Sequence, residues 1–202
     1  MRKVLLLTGV ACLAAASASA LEFNPYIAAK AKYVVARNEV KLTGTFEDKA
    51  KLHDNIFGAS FAVGNTHPLE VGDLRFELEY TKNDDAKKQG AKVKSQAVLF
   101  NIYYDFDVQL TVPVTPYLGV GLGWGRTEWG DGTKNIKEDD VSMQIGGGIS
   151  YNINEHAIVD FGYRFITYGD FDEEYRIPGL LYEKYEYKPR AHEIMLGIRY
   201  QF

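Results

Sequence analysis

The chain carries one cysteine in 202 residues, Cys12. A lone cysteine excludes an intramolecular disulfide and a thiolate zinc site. The four histidines, His53, His67, His156 and His192, are scattered. None stands at metal-ligand spacing from another histidine or from the cysteine, so no metal and no cofactor is expected. Excess positive charge is also lacking. Twenty-three basic residues against 27 acidic ones give a net charge of −4. A nucleic-acid partner is not expected, because phosphate binding needs a basic surface. Beyond residue 20 no apolar run is long enough for a transmembrane helix. Proline is scarce at six, while glycine and tyrosine are plentiful at 19 and 14. That balance favours a β-rich chain with many turns or closely packed backbones.

The first 20 residues read as an export signal. Arg2 and Lys3 make a positive start, Val4 to Ala16 is apolar, and Ala18-Ser19-Ala20 is a small-residue cleavage site. The apolar run is short of the roughly 20 residues that span a bilayer. The mature domain is therefore expected to be residues 21–202, starting near Leu21. Cys12 would leave with the leader. Loss of Arg2 and Lys3 takes the basic count to 21 against 27 acidic residues, a net charge of −6. An exported chain without a membrane helix is either soluble or a closed barrel, since only helices and closed barrels satisfy every backbone group in lipid.

Period-2 alternation marks eight strands. They run over about Pro25–Ala36, Asp54–Gly64, Gly72–Thr81, Val93–Asp107, Thr115–Thr127, Val141–Asn154, His156–Tyr168 and His192–Phe202. In the third, Leu74, Phe76, Leu78 and Tyr80 alternate with Arg75, Glu77, Glu79 and Thr81. In the last, Ile194, Leu196, Ile198, Tyr200 and Phe202 alternate with Glu193, Met195, Gly197, Arg199 and Gln201. One face of nearly every strand is large and apolar, and the other is small, polar or charged. A soluble barrel can show the same alternation with its apolar face inward. Size separates the two. Eight strands enclose a space just wide enough for side chains, and a lumen lined by every Phe, Leu and Ile would be overpacked. The apolar face is therefore expected outward, which requires lipid.

Loop lengths point the same way. Arg37 to His53, Lys82 to Lys92, Glu128 to Asp140 and Gly169 to Ala191 read as long charged loops. Asn65 to Val71, Val108 to Val114 and Asn154-Glu155-His156 are shorter. Such alternation is that of barrels with short periplasmic turns and long external loops. Tyr104, Phe106, Tyr151, Tyr200 and Phe202 would form a lower aromatic girdle. Tyr33, Tyr80, Trp124 and Phe165 would form an upper one.

The closing run His192-Glu193-Ile194-Met195-Leu196-Gly197-Ile198-Arg199-Tyr200-Gln201-Phe202 resembles the last strand of opacity-type porins, within the OmpA-like eight-stranded barrels of Gram-negative bacteria. Asp160-Phe161-Gly162-Tyr163-Arg164-Phe165 resembles the family's penultimate strand, and Pro116 to Gly123 its fifth. The resemblance implies an all-β, eight-stranded antiparallel up-and-down transmembrane barrel in the outer membrane. It also implies that Tyr200 and Phe202 act as the insertion signal read by the barrel-assembly machinery. The family name implies porin activity.

Gly119, Gly121, Gly123 and Gly125 follow GxGxG spacing with no helix after them, so a nucleotide loop is not expected. With Gly146 and Gly148 they would form a smooth lumen wall, leaving room for Tyr103, Arg75 and Arg164 from across the barrel. Lys30, Lys32, Arg75, Glu77, Glu79, Asp105, Asp160, Arg164, Glu193 and Arg199 are expected inward with Tyr103. They read either as a salt-bridged plug, the favoured case, or as a filter for small ions. No catalytic residues are expected, because no His-x-Ser element marks a lipid-modifying barrel enzyme. His192 reads as a rim residue above the lipid band. Asp131-Gly132 does not continue as a calcium loop. The acid- and Tyr-rich stretch from Asp170 to Tyr187 suits a contact surface. Expected partners are outer-membrane lipid, lipopolysaccharide and extracellular or host ligands met by the loops. The expected role is that of a surface protein with a structural or interaction function. A narrow porin is the alternative. A lipid-modifying enzyme and a soluble lipocalin-like binder come behind.

Overall fold

A computed structural model describes the backbone of residues 23–44, 48–84, 86–88, 91–108, 111–130, 135–169, 171–177 and 181–202. The expected leader, the Asp131-Gly132 pair and Asp170 lie outside these residues. Ten strands follow one another: β1 (Asn24–Gly44), β2 (Asp48–Pro68), β3 (Asp73–Asn83), β4 (Ala86–Lys88), β5 (Ala91–Asp105), β6 (Val114–Gly130), β7 (Asn135–Asn152), β8 (Ala157–Thr167), β9 (Phe171–Ile177) and β10 (Leu181–Gln201). All pairings are antiparallel. Eight of them, β1, β2, β3, β5, β6, β7, β8 and β10, form the wall. It closes where β1 pairs β10 from Tyr26↔Gln201 up to Gly44↔Glu183. β4 and β9 are short ribbons folded back onto β5 and β10.

Alternation sorts the side chains. Phe57, Phe61, Leu78, Leu118, Val120, Leu122, Trp124, Met143, Ile145, Phe161, Leu196 and Ile198 cover the outside, each about half exposed. Most of their neighbours one residue along are buried, and these are mainly glycines and polar or charged residues. A surface that shows water a continuous apolar band of this size is not stable, so the band belongs in lipid. Aromatics mark its edges. Tyr33 meets Phe57 edge-to-face at 5.7 Å near the upper edge. Tyr104 meets Phe106 at 4.9 Å, and Tyr200 meets Phe202 at 5.2 Å, at the end where the described residues begin and end.

The turns at the terminal end are tight. The Leu69 amide donates to the Gly72 carbonyl at 3.0 Å. Gly72 has φ +83°, and a side chain there would strike the Asp105 backbone, so only glycine fits. In the turn after β7, the Asn154 carboxamide oxygen accepts from the amides of His156 and Ala157 at 2.9 and 2.7 Å.

At the other end the strands outrun the sequence reading. Arg37 to His53 is not a loop but the continued hairpin β1–β2, with pairing up to Leu42↔Asp48. Glu128 to Asp140 is largely strand too, pairing up to Gly130↔Asn135. Gly169 to Ala191 contains the β9–β10 ribbon, which takes up most of the acid- and Tyr-rich stretch. Lys82 to Lys92 contains β4. The apolar–polar pattern of the sequence fades there, while backbone pairing continues without it. These extensions are uneven. β2 pairs β3 only from Gly58 downward, and β7 pairs β8 only from Met143 downward. Above those points the wall parts along two seams into four-stranded sheets, β9-β10-β1-β2 and β4-β5-β6-β7.

Candidate functional site

The lumen gathers the charges that alternation turns inward. Five cations and five carboxylates lie there: Lys30, Lys32, Arg75, Arg164 and Arg199 against Glu77, Glu79, Asp105, Asp160 and Glu193. Arg164 on β8 is the hub. Its Nε donates to Glu193 on β10 at 2.7 Å, its Nη1 to Glu79 on β3 at 2.9 Å, and its Nη2 to Thr81 at 3.2 Å. All four side chains are fully buried. Lys30 reaches Glu77 at 2.6 Å and Glu79 at 3.2 Å. Lys32 reaches Glu193 at 3.3 Å and Asn83 at 2.8 Å, and also donates to Thr81. Neutral groups take up the remaining lone pairs. Asn101 donates to Glu79 at 2.9 Å, Tyr26 to Glu77 at 3.2 Å, Tyr103 to Glu77 at 3.4 Å, and Tyr168 to Glu193 at 2.9 Å. Buried charge is tolerated only with such pairing and bonding.

A second cluster sits toward the termini. Arg75 pairs with Asp105 at 2.6 Å and lies over the rings of Tyr103 and Tyr117, 4.8 and 5.1 Å from their centroids. Arg199 holds Asp160 at 3.4 Å, and Ser150 donates to Asp160 at 2.6 Å. Below this cluster opens a vestibule of about 300 Å³, lined among others by Asp73, Asp105, Ser150, Arg199 and Gln201.

Above the hub the lumen turns apolar. Val34, Ala97, Leu99, Ile166, Tyr168 and Ala191 form a buried cluster, with Ile56 packed against it. Sequence reasoning missed this layer. Leu99 stands between Val98 and Phe100, and Ile166 follows Phe165, so the apolar runs hide which member turns inward. The register shows it: Leu99 takes the inward parity shared by Asn101 and Tyr103.

The glycines serve close packing, though not as the sequence suggested. Tyr103 does not reach over from the far wall. It is the strand neighbour of Gly119, and a Cβ on Gly119 would overlap its ring. Gly146 gives the same room to its register partner Arg164. The space beside Gly121 is taken by Asn101 and Gln144, which bond each other at 3.0 Å, and not by Arg75. His192 faces outward within the upper girdle, 5.2 Å from the Phe165 ring, with its Nδ1 2.6 Å from the Tyr163 hydroxyl. Among the described residues no cluster of His, Cys, Asp and Glu is arranged to hold a metal.

Comparison with known proteins agrees with this architecture. The family model for the outer membrane protein β-barrel domain matches residues 4–202, so the chain belongs to that family of Gram-negative outer-membrane barrels. Among solved structures it is similar to neisserial surface protein A, at 22% identity and TM-score 0.62, over 88% of this chain and 97% of that one. OprG from Pseudomonas aeruginosa matches at 15% identity and TM-score 0.55, over 90% and 97% of the two chains. AlkL, solved in lipid bilayers, matches at 15% and 0.52, over 90% and 91%. At these identities the likeness is one of fold. Comparison with curated proteins gives no significant match.

Proposed function

We propose that this protein is a closed outer-membrane surface protein. Its barrel is a sealed anchor, and its function resides in the external hairpins. The observation that carries this reading is the lumen. Five cations balance five carboxylates in it, and the fully buried Arg164 hub lies beneath an apolar layer. An ion crossing there would meet the apolar cluster and polar groups already engaged with one another, since Asn83 donates to Tyr168 and accepts from Lys32 while Tyr168 also donates to Glu193. The extended β1–β2, β6–β7 and β9–β10 hairpins support the interaction half of the reading, because paired strands hold a recognition surface in place. The acid- and Tyr-rich β9–β10 ribbon is the proposed contact element for extracellular ligands.

The test is planar-bilayer conductance of folded protein, with folding verified by the heat-dependent gel shift. Silence is expected, and reproducible conductance steps would overturn the closed lumen. The vestibule beneath Arg199 favours the second reading, a narrow pore. That reading requires conductance that changes in Arg75→Gln or Glu77→Gln. Delivery to the membrane is proposed to use the leader and the terminal Tyr200 and Phe202.

A further inference from the structure

Outside the lumen the outer wall carries a feature that neither folding nor a closed channel requires. On β1 the outward positions run Ile27, Ala29, Ala31, Tyr33, Val35 and then Arg37. On β10 they run Tyr200, Ile198, Leu196, Ile194, His192 and then Arg190. Arg37 and Arg190 are direct cross-strand partners, and both are exposed. Thus the first outward charge above the apolar band is an arginine on each strand, and the two stand opposite one another. Like charges in that position are destabilising. Elsewhere at this height the barrel does the opposite. On β6 and β7, Arg126 meets Asp139 in a two-pronged pair at 2.6 and 2.9 Å. In register, Arg37 faces Arg190 and His53, and Arg190 faces Arg37 and Thr167, so no carboxylate stands directly across from either arginine.

Directly beneath the row lie Tyr33, Phe57, Phe165 and His192 of the upper girdle. Beside it, where β7 and β8 part above Met143, opens an outward cleft of about 490 Å³. Its lower part is mostly apolar, with Val141, Met143, Ile145 and Phe165 beside Gln144. Its upper part holds Arg190 with Asp140 and Thr167. The site therefore offers guanidinium donors at headgroup height and an apolar channel descending into the lipid band.

We propose that this face binds a phosphorylated outer-leaflet lipid of the lipid A class. Its phosphate would lie between Arg37 and Arg190, and an acyl chain would follow the β7–β8 cleft. Guanidinium groups suit phosphate because they donate two parallel hydrogen bonds to it. An anion between the two arginines also removes their mutual repulsion. The proposal rests on the outer-membrane placement, and does not require a closed lumen.

The experiment measures lipid retention on the folded protein in detergent by native mass spectrometry. It compares bisphosphorylated lipid A, the same lipid dephosphorylated, and inorganic phosphate as competitor. The wild type is expected to retain lipid A, and R37Q/R190Q to weaken retention by about 10-fold or more, given two charge-assisted contacts. R37K/R190K should fall between, since lysine keeps the charge and loses the fork. Equal retention of dephosphorylated lipid would overturn the proposal, as would equal retention by R37Q/R190Q. Displacement by inorganic phosphate at equal concentration would reduce the site to an ordinary anion patch and also overturn it. Both arginines are exposed, so the heat-shift gel should show folded variants. Conductance of the same preparations is read separately, so the two proposals fail independently.

Discussion

Replacing Arg164 by methionine tests whether the lumen is dry. The substitution keeps an unbranched, flexible stem, shorter than that of arginine, and removes the charge. Glu79 and Glu193 lose bonds of 2.9 and 2.7 Å, and the interior passes from neutral to one excess negative charge. Both carboxylates remain fully buried, and each keeps one lysine: Lys30 at 3.2 Å for Glu79, Lys32 at 3.3 Å for Glu193. Removing one partner of a buried pair costs about 3–5 kcal/mol. The retained lysines place R164M near the lower bound, about 3 kcal/mol. Adding Glu193→Gln restores charge balance, and the double variant should recover about 1 kcal/mol or more relative to R164M. Urea unfolding in lipid vesicles, scored by the fraction of heat-shifted species, measures both numbers. If R164M unfolds within about 1 kcal/mol of the wild type, the ion pairs behave like exposed ones. The lumen would then be hydrated, and the sealed-anchor reading would fall with it.

Other outcomes are expected from the same structure. Gly121→Leu should sharply reduce folding yield, since its side chain would displace both Asn101 and Gln144; unchanged refolding by gel shift would contradict the packing described. Val120→Arg puts a charge mid-height on the lipid face, between Leu118 and Leu122, and should cost about 2–4 kcal/mol in vesicles. No cost there would mean the face does not contact lipid. Asp139, above the girdle, is held below the usual carboxylate range by the hydrogen bond from Arg126. Whatever this pair contributes is present above the ordinary Asp range and is lost as pH falls below that range through the lowered native titration. NMR titration should show the Asp139 carboxyl moving up in Arg126→Gln, and an unmoved titration would refute the pairing. Deleting Phe202 should impair assembly in cells far more than refolding in detergent, where only its amide bond to the Pro25 carbonyl at 3.0 Å and its contact with Tyr200 are lost.

The barrel was legible because lipid imposes the rule that makes alternation readable. One face must be apolar over the full height of the band, and the narrow interior must balance its charges, so lumen membership follows from parity. Glu77 and Glu79 on β3, Arg164 on β8 and Glu193 on β10 occupy inward parity by that rule alone. What parity cannot supply is partner choice. Arg164 reaches across to β3 as well as to its neighbour β10, and that depends on how far round the closed wall each strand has climbed. Nor can it supply strand ends above the membrane, where the alternation of the sequence fades. The two missed features share that cause. The apolar layer of Val34, Leu99 and Ile166 lies at the upper end of the lumen, where alternation runs into consecutive apolar residues. The seam beside Met143 exists because β7 continues upward to Asn135 while β8 stops at Thr167, a mismatch of strand lengths that period-2 patterning does not record. The arginine row beside that seam was legible one strand at a time, as the first charge above an apolar run. Only closure of β1 on β10 turns two such residues into one site.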